Sequence, residues 1–144
     1  MAAAGVLIFE RGQRRWEAAI KRTLAPGIWV RPCKTLADVR EQLHNRSGCL
    51  VVIAIDSGPE TGAVLTLATT SPQAAAVMVI ARSLSAEAEW LLREIGVDSV
   101  VYEPLADNVM ATQCRRLIPF RHDDPLGILL NEAITAPAID CRPA

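Results

Sequence analysis

The side chains able to do chemistry in this 144-residue chain are few and scattered. Cys33, Cys49, Cys114 and Cys141 include no C-x-x-C pair, so neither a zinc knuckle nor a dithiol redox motif is indicated, and the thiols read as buried or incidental. His44 and His122 are too far apart in sequence, and too poorly accompanied by acids or thiols, to suggest a metal site, and each reads as a solvated loop or helix-end residue. The remaining candidates are acids and bases that follow short apolar runs: Glu10 and Arg11, Asp56, Arg82, and Glu103 before Pro104. Carboxylates in such places bind hard cations or act as nucleophiles, and cations beside them hold phosphoryl groups. No G-x-G-x-x-G, G-x-x-x-x-G-K-[ST] or G-x-S-x-G follows any run, so dinucleotide, P-loop and serine-hydrolase chemistry lose their main support.

The runs that must position these residues are Gly5 to Phe9, Gly27 to Val30, Cys49 to Ile55, Ala75 to Ile80 and Asp98 to Tyr102. All are short and Val/Ile-rich, which predicts strands buried on both faces. Helical spacing fills the intervals. Arg14 to Leu24 sets Trp16, Ala19, Ile20 and Thr23 or Leu24 on one side, and Leu36 to His44 follows an N-cap at Thr35 with Val39 and Leu43 on one face. Thr61 to Thr70 is a Thr-rich helix that Pro72 must end. Leu84 to Ile95 is capped by Ser83 or Ser85 and stopped by Gly96, with Leu91 and Ile95 toward the core and Trp90 at the surface or an interface. Asp107 to Leu117 completes the series. Five strand-then-helix repeats predict an α/β fold: a doubly wound five-stranded parallel sheet, a flavodoxin-like (βα)5 sandwich. That assigns residues 1–118 to one domain and leaves 119–144, rich in proline, as a C-terminal tail or docking extension.

Composition narrows the partners. Fifteen basic against sixteen acidic residues leave a net charge of −1, and aromatics make up 4%, so neither an electrostatic footprint for nucleic acid nor a base-stacking platform is present. The cluster Arg11, Arg14, Arg15, Lys21 and Arg22 reads as the solvated face of the first helix. The apolar runs are too short to cross a membrane, and no signal sequence is visible, so a cytoplasmic location is expected.

In open α/β sheets chemistry gathers at the carboxyl ends of the strands. On those ends, and over Val6 to Leu117, the chain resembles the receiver domain of bacterial response regulators. Gly62, Gly96, Asp98 and Pro104 fall on the family's positions. The resemblance implies an acid pair at Glu10 and Arg11, a phospho-acceptor at Ala54, a hydroxyl at Ala81, a lysine at Glu103 and an aromatic switch at Val100. Of these, only Glu10 keeps the family's chemistry, so the set Glu10, Arg11, Ala54, Asp56, Ala81 and Glu103 reads as a degenerate phosphorylation pocket.

A methyl group cannot accept a phosphoryl, Arg11 opposes magnesium, and Glu103 repels phosphate. Arg11 is expected to bridge Glu10, Glu103 or both. Asp56 remains an alternative acceptor, although it stands six rather than eight residues before Gly62 and reads as a turn. The implied function is a phosphorylation-independent, non-enzymatic receiver-like (pseudo-receiver) module with no cofactor. It would act through a protein partner or a homodimer at helix 4, strand 5 and helix 5, with Trp90, Arg93, Glu94, Tyr102, Leu105 and Asn108 as candidate contacts. The alternatives are a small-molecule sensor using the vacated pocket and, third, an enzyme of another flavodoxin-like family with Cys33 or Asp56 as its reactive group.

Overall fold

The computed structural model describes residues 5–10, 15–24, 27–46, 48–55 and 58–118. The elements alternate as β1 (Gly5–Phe9), α1 (Arg15–Thr23), β2 (Trp29–Cys33), α2 (Leu36–Asn45), β3 (Cys49–Ala54), α3 (Thr61–Thr70), β4 (Ala74–Ala81), α4 (Ala86–Glu94), β5 (Ser99–Tyr102) and α5 (Asp107–Leu117). All strand pairings are parallel and the sheet order is β2-β1-β3-β4-β5. Each strand therefore returns by a helical crossover, the doubly wound fold expected from the repeat pattern.

Alternation along the strands divides the core in two. Val6, Ile8, Leu50, Val52, Met78 and Ile80 face α1 and α5, meeting Trp16, Ile20, Met110 and Cys114. Leu7, Phe9, Val51, Ile53, Val77 and Val79 face the other layer, where Val39 and Leu43 of α2 and Val64, Leu65 and Ala68 of α3 cover them. The three central strands are apolar on both sides because both sides are covered.

The two edge strands depart from the expectation of two buried faces. Strand β2 begins two residues later than predicted and runs through Pro32 to Cys33, with only Cys33 fully buried. An edge strand tolerates proline because one side of it lacks a ladder partner. Strand β5 likewise buries only Val101. Trp29 sits half-buried on β2 with the Arg46 guanidinium 4.7 Å above its ring centroid. Its indole lies across Gly5 of β1 so closely that a Cβ there would stand 1.8 Å from the ring.

The caps form where the sequence places them: Thr35 Oγ1 accepts from Asp38 N, and Ser85 Oγ accepts from Ala88 N. Helix α4 corrects a second expectation. Leu91 and Ile95 are exposed, and Leu92 is the side chain that packs against the core. Cys33, Cys49 and Cys114 are buried free thiols, pushed by burial up to about 12, 11 and 12. Such thiols stay protonated, which does not suit Cys33 to nucleophilic chemistry. Among the described residues no helix is long and apolar enough to cross a membrane, and no three metal-ligating side chains cluster. The expected boundary near Pro119 and the tail 119–144 lie outside the described residues, as do Arg11, Arg14, Asp56, His122 and Cys141.

Candidate functional site at the carboxyl strand ends

Parallel register carries four strand ends to one rim. Phe9 pairs with Ile53, Ala54 with Ile80, and Ala81 with Tyr102, so Glu10, Ala54, Ala81 and Glu103 follow one another across β1, β3, β4 and β5. Backbone bonds hold the rim together, with Ile55 N donating to Ile80 O and Glu103 N to Ala81 O, both at 2.9 Å. Ala54 is half-buried and Ala81 buried, so methyl groups occupy the middle of the rim. The acids stand at its two ends.

Glu10 is buried and serves the first turn of α1. Trp16 N donates to its Oε1 at 2.9 Å and Glu17 N to its Oε2 at 3.3 Å. Those amides belong to the helix start, where N–H groups lack intrahelical acceptors and the dipole favours an anion. A carboxylate from the end of β1 thus caps the helix that follows it.

Glu103, on the far side of the rim, accepts from the indole Nε1 of the same tryptophan at 3.1 Å. Its second oxygen accepts from Arg82 Nε at 3.3 Å. The Arg82 side chain is 80% exposed, so this ion pair contributes little to stability. Trp16, itself only 3% exposed, joins the acid after β1 to the acid after β5, one through its backbone and one through its ring.

The helical spacing sets Trp16 on the apolar side of α1, which holds for its ring, but gives no sign of this second role. The partners are 87 positions apart. Arg82 follows the apolar run of β4 in the sequence, and its pairing with Glu103 forms only in the fold. The expected bridging by Arg11 and the alternative acceptor Asp56 fall on residues outside those described.

A second surface lies beside the rim. Trp90 is 60% exposed, Leu91 56% and Ile95 48%, and Arg93 and Glu94 are exposed with them. Tyr102, at the end of the edge strand β5, donates its hydroxyl to Glu89 Oε1, which ties β5 to α4 and holds the phenol above its usual pKa. Asn108 and Val109 are exposed on α5, whereas Leu105 is half-buried against the α1–α5 core. Leu91 and Ile95 belong to this surface although their spacing had assigned them inward.

No protein-family model matches the chain, and no curated protein matches its sequence. Solved structures do match in fold. A response regulator from Thermotoga maritima superposes with a TM-score of 0.68 at 15% identity, over 80% of this chain and 97% of that one. A signal receiver domain from Vibrio parahaemolyticus superposes with a TM-score of 0.63 at 10% identity, over 99% of this chain and 100% of that one. With five parallel strands in the order 2-1-3-4-5, four crossover helices and a fifth helix after β5, the chain has the receiver-domain variant of the flavodoxin-like fold.

Proposed function

We propose that this chain is a receiver-like signalling module that works through protein contacts without being phosphorylated. The observation that carries this reading is the rim itself: β3 ends in Ala54, and the acids after β1 and β5 are both engaged by Trp16. A phospho-acceptor site needs a carboxylate nucleophile, oxygens open to magnesium and a cation for the phosphoryl group. Here the β3 end offers a methyl, Glu10 spends its carboxylate on the amides of α1, and Glu103 brings negative charge.

The output surface of this reading is α4, β5 and α5, with Trp90, Arg93, Glu94, Tyr102, Leu105 and Asn108 as contacts. The exposure of Trp90 supports it, since a large aromatic side chain in water is a common anchor of protein interfaces. Three buried free cysteines fit a reducing compartment such as the cytoplasm.

The test is incubation of the full chain with magnesium and acetyl phosphate, and separately with magnesium and beryllofluoride. Intact mass and tryptophan emission should stay unchanged, Trp16 being the reporter at the rim. A mass gain of one phosphoryl group, or saturable binding of beryllofluoride, refutes the reading.

A further inference from the structure

The exposed face of α4 carries a charge pattern that names its partner. Glu87 and Glu94 are seven residues apart, two helical turns, so they lie nearly in line along α4 and about 10 Å apart. Trp90 and Leu91 sit between them and Ile95 follows Leu91 by one turn, which sets three exposed apolar side chains among two acids. A shallow apolar groove is lined by Ala86, Glu87, Trp90 and Leu91, and its one charged wall is Glu87.

Neither Glu87 nor Glu94 makes an ion pair among the described residues. The third acid of the helix, Glu89, is engaged with Tyr102, and Arg93 lies on that side, near enough to lower the tyrosine's pKa. The helix buries none of its residues fully, so the fold itself leaves this face without a cover.

We infer that the α4 face is a dock for a cationic amphipathic helix, one whose apolar anchors enter between Trp90 and Leu91 while two basic residues about seven apart meet Glu87 and Glu94. The inference rests on the interaction-module reading and adds to it the chemistry of the partner. Apolar burial supplies the attraction, and the acids select the charge of the occupant and speed its encounter. A second copy of α4 is a poorer occupant, because antiparallel packing of the same face opposes Glu87 to the Glu94 position of the other copy, acid against acid.

The test uses the full chain and two dye-labelled synthetic helical peptides with the same leucine and alanine face. One carries lysine and the other glutamate at two flanking positions seven apart. By fluorescence anisotropy the lysine peptide should bind at least fivefold more tightly than its twin, with the difference shrinking in high salt. Glu87→Lys with Glu94→Lys should reverse the preference, a gain of binding that misfolding does not produce, and Trp90→Ala with Leu91→Ala should abolish binding of both peptides.

Equal affinity for the two peptides, binding of neither at about millimolar concentration, or binding that survives Trp90→Ala with Leu91→Ala would overturn the inference. So would concentration-dependent self-association in the ultracentrifuge that Trp90→Ala removes. None of these outcomes bears on beryllofluoride binding, so failure of the dock and failure of the phosphorylation-independent reading are separately visible.

Discussion

Replacing Trp16 by phenylalanine removes one hydrogen-bond donor while leaving a ring in the core, which makes it the sharpest probe of the link across the rim. The lost contact is the 3.1 Å bond from the indole to Glu103. Hydrogen bonds to charged groups are worth about 1.5–3 kcal/mol when well buried. The Glu103 side chain is 19% exposed and keeps Arg82, so water replaces part of the loss and the bond itself should account for about 1 kcal/mol. The smaller ring leaves a void at a site only 3% exposed, which adds about 1 kcal/mol of cavity cost.

The two contributions separate in a double-mutant cycle with Glu103→Met, which keeps the length of the side chain but removes both acceptor oxygens. Urea unfolding followed by far-ultraviolet circular dichroism should show Trp16→Phe destabilised by about 2 kcal/mol at unchanged m-value. The coupling between the two sites should be about 1 kcal/mol. A coupling below about 0.3 kcal/mol, within the usual error of additivity, would mean that the indole and the carboxylate are neighbours without energetic consequence, and the role given to Trp16 would fall.

Two further outcomes follow from the packing. Gly5→Ala should cost about 1–3 kcal/mol in urea unfolding, because the new methyl meets the Trp29 ring, and Trp29→Val in the same chain should remove most of that cost; a Gly5→Ala protein as stable as the parent would contradict the contact. Stability should also fall as pH rises above 9, since Cys33, Cys49 and Cys114 ionise near 9.0 when unfolded but only near 12, 11 and 12 when buried. Their raised folded values favour the native state below pH 9 and withdraw that support above it, at about 1 kcal/mol per pH unit for each thiol. Replacing all three by alanine should flatten the alkaline slope, and an unchanged slope would refute the assignment.

Local patterns were the most legible part of the chain. Strand β1 and helices α3 and α5 have the limits their sequences predict, and the hydroxyls of Thr35 and Ser85 cap the helices that follow them. These features depend on residues within a turn or two of one another, so period and cap chemistry suffice to find them. The methyl groups at Ala54 and Ala81 and the acids at Glu10 and Glu103 were also legible, because strand order and the resemblance to receiver domains set which residues end each strand.

Helix α4 shows where such reading stops. Its apolar residues Trp90, Leu91, Leu92 and Ile95 cover much of the circumference, so spacing alone does not say which side meets the sheet. In the fold Leu92 turns inward and the other three are exposed. The same limit applied to β2, whose position at the sheet edge admits Pro32 and leaves Trp29 half-buried.

The order of elements, the two-sided core and the alanine that ends β3 are therefore written in the chain, since each depends on residue type and on neighbours a few positions away. The joining of Glu10 to Glu103 through Trp16, and the acid-flanked apolar face of α4, arise only when distant segments pack. The physical reason is that hydrogen bonds across 87 residues, and the choice of which helix face a sheet covers, depend on crossover geometry and on the place of a strand in the sheet, which no local pattern encodes.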